Sequence, residues 1–143
     1  MNKVSDILSR KGKNAIHVLP ETSVFDALKV MAENNIGSVV VMEGDKFLGI
    51  ITERDYSRKV VLKGKNSSDT KVNDIMTRDF PELKPADTVE YCMQLLTENN
   101  IRYLPVFENG SLQGIISISD VVSETIIMQQ QTIDHLDSYI NSK

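Results

Sequence analysis

The sequence is poor in the residues that carry disulfide, metal and nucleophile chemistry. Its one cysteine, Cys92, cannot form an internal disulfide, which favours a cytoplasmic protein. The two histidines, His17 and His135, lie far apart, and neither has the ligand spacing of a zinc site. The Gly-x-Ser-x-Gly, Walker and Gly-x-Gly-x-x-Gly motifs are absent. The sequence therefore predicts no metal, no catalytic residues, no required cofactor and no enzymatic activity.

Long apolar runs and an excess of basic charge are also missing. No run approaches the roughly 20 apolar residues that span a bilayer, and the start has no apolar segment of a secretory signal. Twenty acidic and sixteen basic residues give a net charge of −4. The lack of long apolar runs disfavours membrane insertion and secretion. The net negative charge disfavours nucleic-acid binding by bulk charge. The basic residues from Arg58 to Lys65 are interpreted as a solvated helix end.

What the sequence does contain is an internal repeat at a shift of 65 residues. The matched segments are Asn34-Asn35-Ile36 with Asn99-Asn100-Ile101, Gly49-Ile50-Ile51 with Gly114-Ile115-Ile116, and Asp55 with Asp120. The register needs no gap between residues 18–60 and 83–125. Chance matches would not keep one register across separate motifs, so we infer a duplication.

Each copy shows the pattern of a β-α-β-β-α unit, which predicts an α+β fold made of tandem repeats. The predicted strands are Ala15–Val18, Ser38–Met42 and Phe47–Ile51 in the first copy, and Glu82–Lys84, Tyr103–Phe107 and Leu112–Ile116 in the second. The turns between the paired strands contain Gly44 and Asn109-Gly110, which favour tight hairpins. Second helices are expected to begin at Thr52 and Ser117.

The first helix of each copy is predicted from capping residues and apolar spacing. Caps are expected around Thr22 or Ser23 and around Asp87 or Thr88. The apolar stripes are Val24, Ala27, Leu28 and Met31 in the first copy, and Val89, Cys92, Met93 and Leu96 in the second. Cys92 is accordingly interpreted as a buried core residue.

The domain organisation follows from this repeat. We expect a first repeat with its amino-terminal segment at 1–62, a linker at 63–71, a second repeat at 72–125 and a carboxy-terminal helical extension at 126–143. Residues 72–76 are predicted to form a short helical turn leading into the second copy, and residues 4–8 resemble it in type. A single copy is too small to bury a good core, so the two copies are expected to share one.

The duplicated order of motifs resembles the CBS domain pair. The residues that carry the resemblance are Gly-Ile-Ile-Thr-x-x-Asp at 49–55, Gly-Ile-Ile-Ser-x-x-Asp at 114–120, Asp-Ile-Met-Thr at 74–77 and Arg-Tyr-Leu-Pro-Val at 102–106. The chain is most similar to the small stand-alone CBS pairs of bacteria and organelles. The resemblance covers about residues 1–125 and implies a pseudo-two-fold pair of repeats.

The resemblance implies a regulatory module that binds an adenine nucleotide in clefts between the repeats. AMP is the leading ligand, and ADP, ATP or NAD are alternatives. In such pairs the aspartate of the motif holds the ribose hydroxyls, which suits a carboxylate because it accepts both hydrogen bonds of a diol. Thr52-x-x-Asp55 and Ser117-x-x-Asp120 are also ordinary helix-capping patterns, and both roles are compatible.

The resemblance assigns residues to two clefts. The first cleft would combine Thr52, Arg54, Asp55, Thr77, Phe80, Ile101, Arg102 and Tyr103. The second would combine Ala15, Ile36, Gly37, Ser38, Ser117, Ser119 and Asp120. Arg54 and Arg102 could pair with a phosphate in the first cleft, whereas Ser119 and Gly37 stand at the matching positions of the second. The alternative for both arginines is solvated surface charge. Related sequences often have histidine where Tyr103 stands, so this side chain could stack on adenine or restrict the slot.

The tail and the choice of function complete the expectations. The stretch from Asp120 to Ile140 reads as a long helix, with one apolar stripe formed by Val122, Ile126, Ile133, Leu136 and Ile140. It predicts a homodimer that uses this helix together with the first helices of the copies. The alternative function is a protein-interaction adaptor with vestigial clefts and no ligand. The sequence does not identify a downstream target protein.

Overall fold

The computed structural model describes residues 2–12 and 15–141. Its described residues group into two compact units, one from 14–80 and the other from 1–13 together with 81–143. Chain order and packing therefore differ, because the amino-terminal segment packs with the second repeat. The sequence grouped it with the first.

The unit of 14–80 contains a three-stranded sheet with the order β1-β2-β3. The strands are β1 (His17–Val18), β2 (Ser38–Glu43) and β3 (Lys46–Thr52). Strand β1 pairs parallel with β2, and β2 pairs antiparallel with β3. Gly44 has a positive φ of 61° in the two-residue turn between β2 and β3, a conformation that glycine adopts without steric cost. The predicted hairpin is confirmed.

Helix α2 (Val24–Asn34) covers this sheet, as its apolar spacing predicts. Ser23 caps it by accepting a hydrogen bond from the Asp26 N–H at 3.0 Å. The helix buries three of the four predicted stripe residues, Val24, Ala27 and Met31, with Leu28 packed partly against the same core. It ends at Asn35, whose left-handed conformation (φ 52°) suits asparagine.

The second helix of this unit is irregular. Helix α3 (Glu53–Tyr56) begins after Thr52 as predicted, but after one turn it continues as a π-helical segment over Ser57–Val61. Such single-turn π segments are rare and often lie at functional positions. Nothing in the apolar spacing indicated it.

A short helix, α4 (Val72–Ile75), completes the unit of 14–80. The backbone N–H of Val72 donates to the Thr22 carbonyl at 2.9 Å, and the N–H of Val24 donates to Thr70 at 2.8 Å. Ile50 and Thr77 exchange both backbone hydrogen bonds, each at 2.9 Å, so the chain after α4 pairs with β3. The segment that was predicted to lead into the second copy therefore packs on the first.

Gly49 lets this segment approach β3 closely. A Cβ atom at Gly49 would lie 2.7 Å from the Thr77 carbonyl oxygen and 3.0 Å from the Met76 sulfur. The carbonyl belongs to the backbone and cannot swing away as a side chain would. Gly49→Ala is therefore expected to lower the free energy of unfolding by about 1–3 kcal/mol. Urea denaturation should show this loss, whereas Lys46→Ala, an exposed change in the same strand, should leave stability nearly unchanged.

The other unit repeats this plan with different boundaries. It contains α1 (Val4–Lys11), α5 (Val89–Glu98), β4 (Tyr103–Glu108), β5 (Ser111–Ser117) and α6 (Ile118–Asn141). Strands β4 and β5 form an antiparallel hairpin, and Asn109 and Gly110 both have positive φ in its turn. Thr88 caps α5 by accepting from the Tyr91 N–H at 3.1 Å. Val89, Cys92 and Leu96 are buried as predicted, but Met93 is 40% exposed, so its placement in the stripe was wrong.

The described residues Glu82–Lys84 form no strand, so the entering strand that was predicted there is absent. In the first repeat the N–H of Val40 donates to Ile16 at 3.2 Å and helps to hold the entering strand. The equivalent residue in the second repeat is Pro105, which has no N–H to donate. The Phe107 N–H still donates to the Leu83 carbonyl at 3.0 Å, so one contact of the ladder remains.

Helix α1 occupies in its unit the position that α4 occupies in the other. The Val4 N–H donates to the Asp87 carbonyl at 2.8 Å, and the Val89 N–H donates to Asn2 at 3.1 Å. Asp87 and Val89 stand 65 residues after Thr22 and Val24, so these hydrogen bonds are the counterparts of those that hold α4. Each unit is thus completed by a short helix that precedes the other repeat in the chain.

Candidate functional site

Asp55 lies in the first turn of α3 and is 6% exposed. The N–H and the Oγ1 hydroxyl of Thr52 both donate to Asp55 Oδ2, at 3.0 and 3.1 Å. The Asp55 N–H donates back to Thr52 Oγ1 at 3.0 Å. This reciprocal arrangement is a capping box, and it fixes the carboxylate at the end of β3. One oxygen of Asp55 is therefore committed to the fold, as the capping interpretation predicted.

In the part of the chain that the structure describes, two side chains hold the other oxygen, Asp55 Oδ1. Thr77 Oγ1 donates to it at 3.1 Å, and the Lys59 ammonium lies 2.9 Å away. Lys59 Nζ also donates to the Ile75 carbonyl at 2.8 Å. The Lys59 side chain is 42% exposed, so it can move into solvent without losing hydration. Neither of these donors to Oδ1 takes part in the capping box, which uses Oδ2.

The residues next to this carboxylate come from one end of the sheet. The Glu53 N–H donates to the Gly37 carbonyl at 3.2 Å, and Ser38 pairs with Thr52. Residues 36–38, which the resemblance assigned to the second cleft, thus lie beside the start of α3. Arg54 is half-buried and directly precedes Asp55.

The second unit has a similar group around Asp120. Its Oδ2 accepts from the Ser117 N–H at 2.8 Å, and the Asp120 N–H donates to Ser117 Oγ at 3.1 Å. The hydroxyls of Ser117 and Ser119 lie 2.9 Å apart. Here too a lysine holds the carboxylate. Lys11 Nζ lies 2.7 Å from Asp120 Oδ2 and donates to the Ile115 carbonyl at 2.7 Å.

The two lysines have different origins. Lys59 stands four residues after Asp55, in the same helical stretch, but the residue four positions after Asp120 is Glu124. Glu124 is 1% exposed and forms an ion pair with Arg10 of α1, at 2.8 Å from Nε to Oε1. Asn2 Nδ2 donates to the same carboxylate. The residue equivalent to Lys59 is thus acidic in the second unit. Helix α1 supplies the cations there, because Lys11 pairs with Asp120 and Arg10 pairs with Glu124.

The structure brings together only part of each assigned set within a unit. Thr52, Asp55 and Thr77 are in direct contact, and Ser117, Ser119 and Asp120 form the second group. Ala15, Ile36, Gly37, Ser38, Arg54 and Phe80 belong to the unit of 14–80, and Ile101, Arg102 and Tyr103 belong to the other unit. In that unit the Ile118 N–H donates to the Arg102 carbonyl at 3.0 Å, and Tyr103 pairs with Ser117. The grouping of residues into two clefts stays a prediction.

Four charged residues at these sites were not predicted from the sequence. Lys59 was interpreted as part of a solvated helix end, and Lys11, Arg10 and Glu124 were not singled out. The spacing of Lys59 after Asp55 is the helical spacing at which opposite charges meet, so a signal for it existed. No local pattern connects Lys11 with Asp120, which is 109 residues away.

Within 2–12 and 15–141, no group of three or more His, Cys, Asp or Glu side chains is placed to hold a metal ion. Over the same residues, no helix has the length and apolar content that crossing a membrane requires.

Cys92 is buried in the core, as predicted. Burial, with smaller effects from the charges of Asp120 and Asp87, raises the pKa of its thiol from 9.0 to about 11. Little thiolate forms at neutral pH, so we expect iodoacetamide to modify the native protein very slowly at pH 7.5. Unfolding in guanidinium should restore the rate of an ordinary thiol. Fast modification of the native chain would contradict this burial.

The same shift predicts a dependence of stability on pH. The folded state holds the Cys92 proton more tightly than the unfolded state does. The contribution to stability is therefore fully present below pH 9 and declines as the pH rises from 9 towards 11. Cys92→Ala should lack this decline in thermal denaturation between these pH values.

Comparisons with known proteins identify the family. A family model described as "CBS domain" matches residues 4–61 and 72–126. The chain is 38% identical over 146 residues to "CBS domain-containing protein CBSX3, mitochondrial" from Arabidopsis thaliana, covering 96% of this chain and 71% of that protein. It is 26% identical over 121 residues to the CBS domain-containing protein YhcV of Bacillus subtilis, covering 85% of this chain and 84% of that protein.

Solved structures agree with this match. The crystal structure of the CBS domain protein NE2398 has a TM-score of 0.83 and 43% identity, covering 88% of this chain and 99% of that one. The CBS-domain containing protein ATU1752 from Agrobacterium tumefaciens has a TM-score of 0.81 and 37% identity, covering 87% and 99%. Together with the α+β units, these matches confirm the predicted fold class and the tandem repeat. The chain belongs to the CBS domain family and carries a pair of CBS domains.

Proposed function

We propose that the protein is a regulatory module that binds an adenine nucleotide, with Asp55 holding the ribose. AMP is the leading ligand, and ADP, ATP and NAD are the alternatives. The observation that carries the proposal is that the two oxygens of Asp55 have different hydrogen-bond partners. Oδ2 maintains the capping box, whereas Oδ1 accepts, among the described residues, from Thr77 and Lys59, neither of which belongs to the capping box.

Ribose hydroxyls suit Oδ1 because they replace these donors one for one. A carboxylate oxygen accepts two hydrogen bonds, and the 2′- and 3′-hydroxyls of a ribose supply two donors. The exchange therefore leaves no acceptor of the buried carboxylate unsatisfied, which would otherwise cost about 1–3 kcal/mol. In the ligand-free protein Lys59 serves as the counterion of Asp55.

The phosphate favours AMP over adenosine in this proposal. Displaced from Oδ1, the Lys59 ammonium becomes available to an anionic group, and Arg54 directly precedes Asp55. A guanidinium binds phosphate through paired hydrogen bonds. We propose that the affinity for AMP falls as salt rises, because screening weakens these ion pairs. Adenosine should show little of this dependence.

The adaptor alternative has one observation in its favour. In both units a lysine already forms an ion pair with the aspartate of the repeat motif, Lys59 with Asp55 and Lys11 with Asp120. Two aspartates satisfied within the chain could serve the fold alone. An adaptor of this kind would keep its stability in the absence of any nucleotide and would gain none from one.

The family supports a regulatory role. CBS domain proteins are generally regulatory, many bind nucleotides, and the names of these relatives describe no enzymatic activity. Neither the site nor the family identifies the downstream target protein. The cytoplasmic location that the single cysteine predicted remains a proposal, and the Arabidopsis relative is described as mitochondrial.

A thermal-shift panel separates the two functions. The full chain is heated with AMP, ADP, ATP, NAD or S-adenosylmethionine at millimolar concentration. A ligand present at a hundred times its Kd stabilises the fold by about 2.7 kcal/mol, which raises Tm by about 5–10 °C for a chain of this size. We expect the largest shift with AMP. No shift with any member of the panel, and no nucleotide detected by native mass spectrometry of freshly purified protein, would favour the adaptor.

A further inference from the structure

The carboxy-terminal part of α6 is a helix whose apolar side is left uncovered by the described residues of its own unit. Helix α6 runs over Ile118–Asn141, but its buried residues, Val121 and Glu124, lie in its first two turns. From residue 129 to residue 141 every position is exposed. An isolated helix of this length is marginal in water unless another surface covers its apolar side.

The apolar residues of α6 follow a heptad pattern. With Ile126 as position a, isoleucine occurs at the a positions 126, 133 and 140, and Leu136 stands at d. The a and d positions are Val122, Ile126, Gln129, Ile133, Leu136 and Ile140. All six are exposed, and the five apolar ones are 50–65% exposed. We call these six residues the α6 seam. Isoleucine at a with leucine at d favours a two-stranded parallel coiled coil.

The seam lies on the side of α6 that faces away from its own unit. The buried residues Val121 and Glu124 occupy heptad positions c and f, which are the outer positions of a coiled coil. One side of the helix thus packs on its unit, with Glu124 paired to Arg10. The opposite side presents the seam, so both contacts can be made at the same time.

We propose that the α6 seam pairs with the same seam of a second copy of this chain in a parallel coiled coil. Two copies are compatible in charge, because the flanking e and g positions from 123 to 139 contain a single ionised residue, Asp137. Identical charged flanks would repel each other, whereas the neutral Ser123, Thr125, Gln130 and Thr132 do not. The helix contains four acidic residues and no lysine or arginine, which disfavours an anionic membrane surface as the occupant.

Gln129 determines the direction of the pair. In a parallel coil each d residue meets its own counterpart, so two Gln129 amides meet and can hydrogen-bond to each other. In an antiparallel coil d residues face a residues, and Gln129 would lie against isoleucine, which leaves a polar group unsatisfied. The parallel arrangement therefore fits the sequence of the seam better.

The size of the seam sets the expected strength. The 19 residues from 122 to 140 span about 28 Å of helix. Pairing two seams would bury on the order of 1,000 Å² in total, near the lower limit for a specific interface. We expect an association that is complete at tens of micromolar and reversible on dilution.

Sedimentation velocity of the full chain, with two single variants, tests the pairing. Ile133→Asp places a charge in the centre of the seam and should raise the dissociation constant at least about tenfold. The matched control is Gln131→Asp, which adds the same charge at the outer position f and should leave the assembly unchanged. Assembly that is insensitive to Ile133→Asp would place the interface elsewhere and overturn the proposal. A wild-type chain that is monomeric at 100 μM would overturn it as well, whatever partner of another kind the seam then binds.

Cross-linking of Leu136→Cys, a d position that leaves Gln129 in place, tests the direction. In the parallel pair the two introduced thiols face each other, so mild oxidation should give a disulfide-linked dimer within minutes. The native Cys92 is buried and should not react. Wild-type chain treated in the same way is the control and should stay unlinked. An assembled variant that does not cross-link would overturn the parallel arrangement.

Discussion

Asp55→Ala is expected to weaken AMP binding at least about tenfold. The variant removes the carboxylate that the proposal gives to the ribose, and losing a hydrogen bond to a charged group typically costs about 1.5–3 kcal/mol. Titration calorimetry of the full chain measures the change directly. Because the capping box is lost as well, stability should fall by about 1–2 kcal/mol. The titration is therefore run at least 20 °C below the Tm of the variant.

Two variants make this result specific. Asp120→Ala removes the equivalent capping box of the other unit and should weaken AMP binding less, because Ser119 stands where the first repeat has Arg54. Ser57→Ala changes an exposed residue of the same helical stretch and keeps the capping box, so it should leave the affinity within a few fold. Equal affinities of wild type and Asp55→Ala would refute the assignment of Asp55 to the ribose. Equal losses in Asp55→Ala and Asp120→Ala would indicate that the change in fold, and not the site, is being measured.

Arg10→Met is expected to cause the largest loss of stability, about 3 kcal/mol. Glu124 is 1% exposed, and Arg10 provides its ion pair through Nε at 2.8 Å and a second contact through Nη2 at 3.2 Å. Removing the arginine leaves a buried carboxylate whose remaining side-chain donor among the described residues is Asn2, and an unpaired buried charge is strongly destabilising. Urea denaturation monitored by circular dichroism gives the free energy of unfolding.

The double variant Arg10→Met with Glu124→Gln is the matched control. Replacing the carboxylate by a neutral amide of the same shape removes the stranded charge, so most of the lost stability should return. Glu124→Gln alone should cost less than Arg10→Met, because Arg10 is 47% exposed and keeps its hydration. If the double variant is as unstable as Arg10→Met, the loss comes from the packing of α1 and not from the buried charge.

Much of the fold could be predicted because its signals are local and occur twice. Ser23 and Thr88 cap their helices, and the glycine and asparagine turns form the hairpins that their residues favour. The missing strand at Glu82–Lys84 depends on Pro105, which lies in another strand and removes a single donor. Single-residue effects of this kind act between segments that are distant in sequence. The sequence pattern of one segment does not contain them.

The exchange of short helices could not be predicted from chain order. Helices α1 and α4 each precede the repeat that they do not pack with, so adjacency in the sequence does not indicate the repeat on which either helix packs. The hydrogen bonds that fix them, such as Val4 to Asp87 and Val72 to Thr22, join backbone atoms and carry no side-chain signature. Only the similar residues at 4–8 and 72–76 indicated that the two segments have equivalent roles.

The candidate site was predicted in part, for a physical reason that can be named. The Thr52-x-x-Asp55 motif fixes the capping box through local geometry, and the structure shows it as expected. The cation that pairs with each carboxylate is determined by packing as well as by local sequence. Lys59 reaches Asp55 from the next helical turn, but Lys11 reaches Asp120 only because α1 docks on the second repeat. The shift of 65 residues shows that Glu124 stands where the first repeat has Lys59. The pairing of Glu124 with Arg10 becomes apparent only when α1 is packed on the second repeat.

A crystal structure of the full chain grown with AMP tests the central claim most directly. The account predicts both ribose hydroxyls within hydrogen-bond distance of Asp55 Oδ1. It also predicts that Lys59 Nζ has moved away from Oδ1, and that the Thr52 N–H still donates to Oδ2. AMP bound with its ribose on other residues, while Lys59 stays 2.9 Å from Oδ1, would contradict the account.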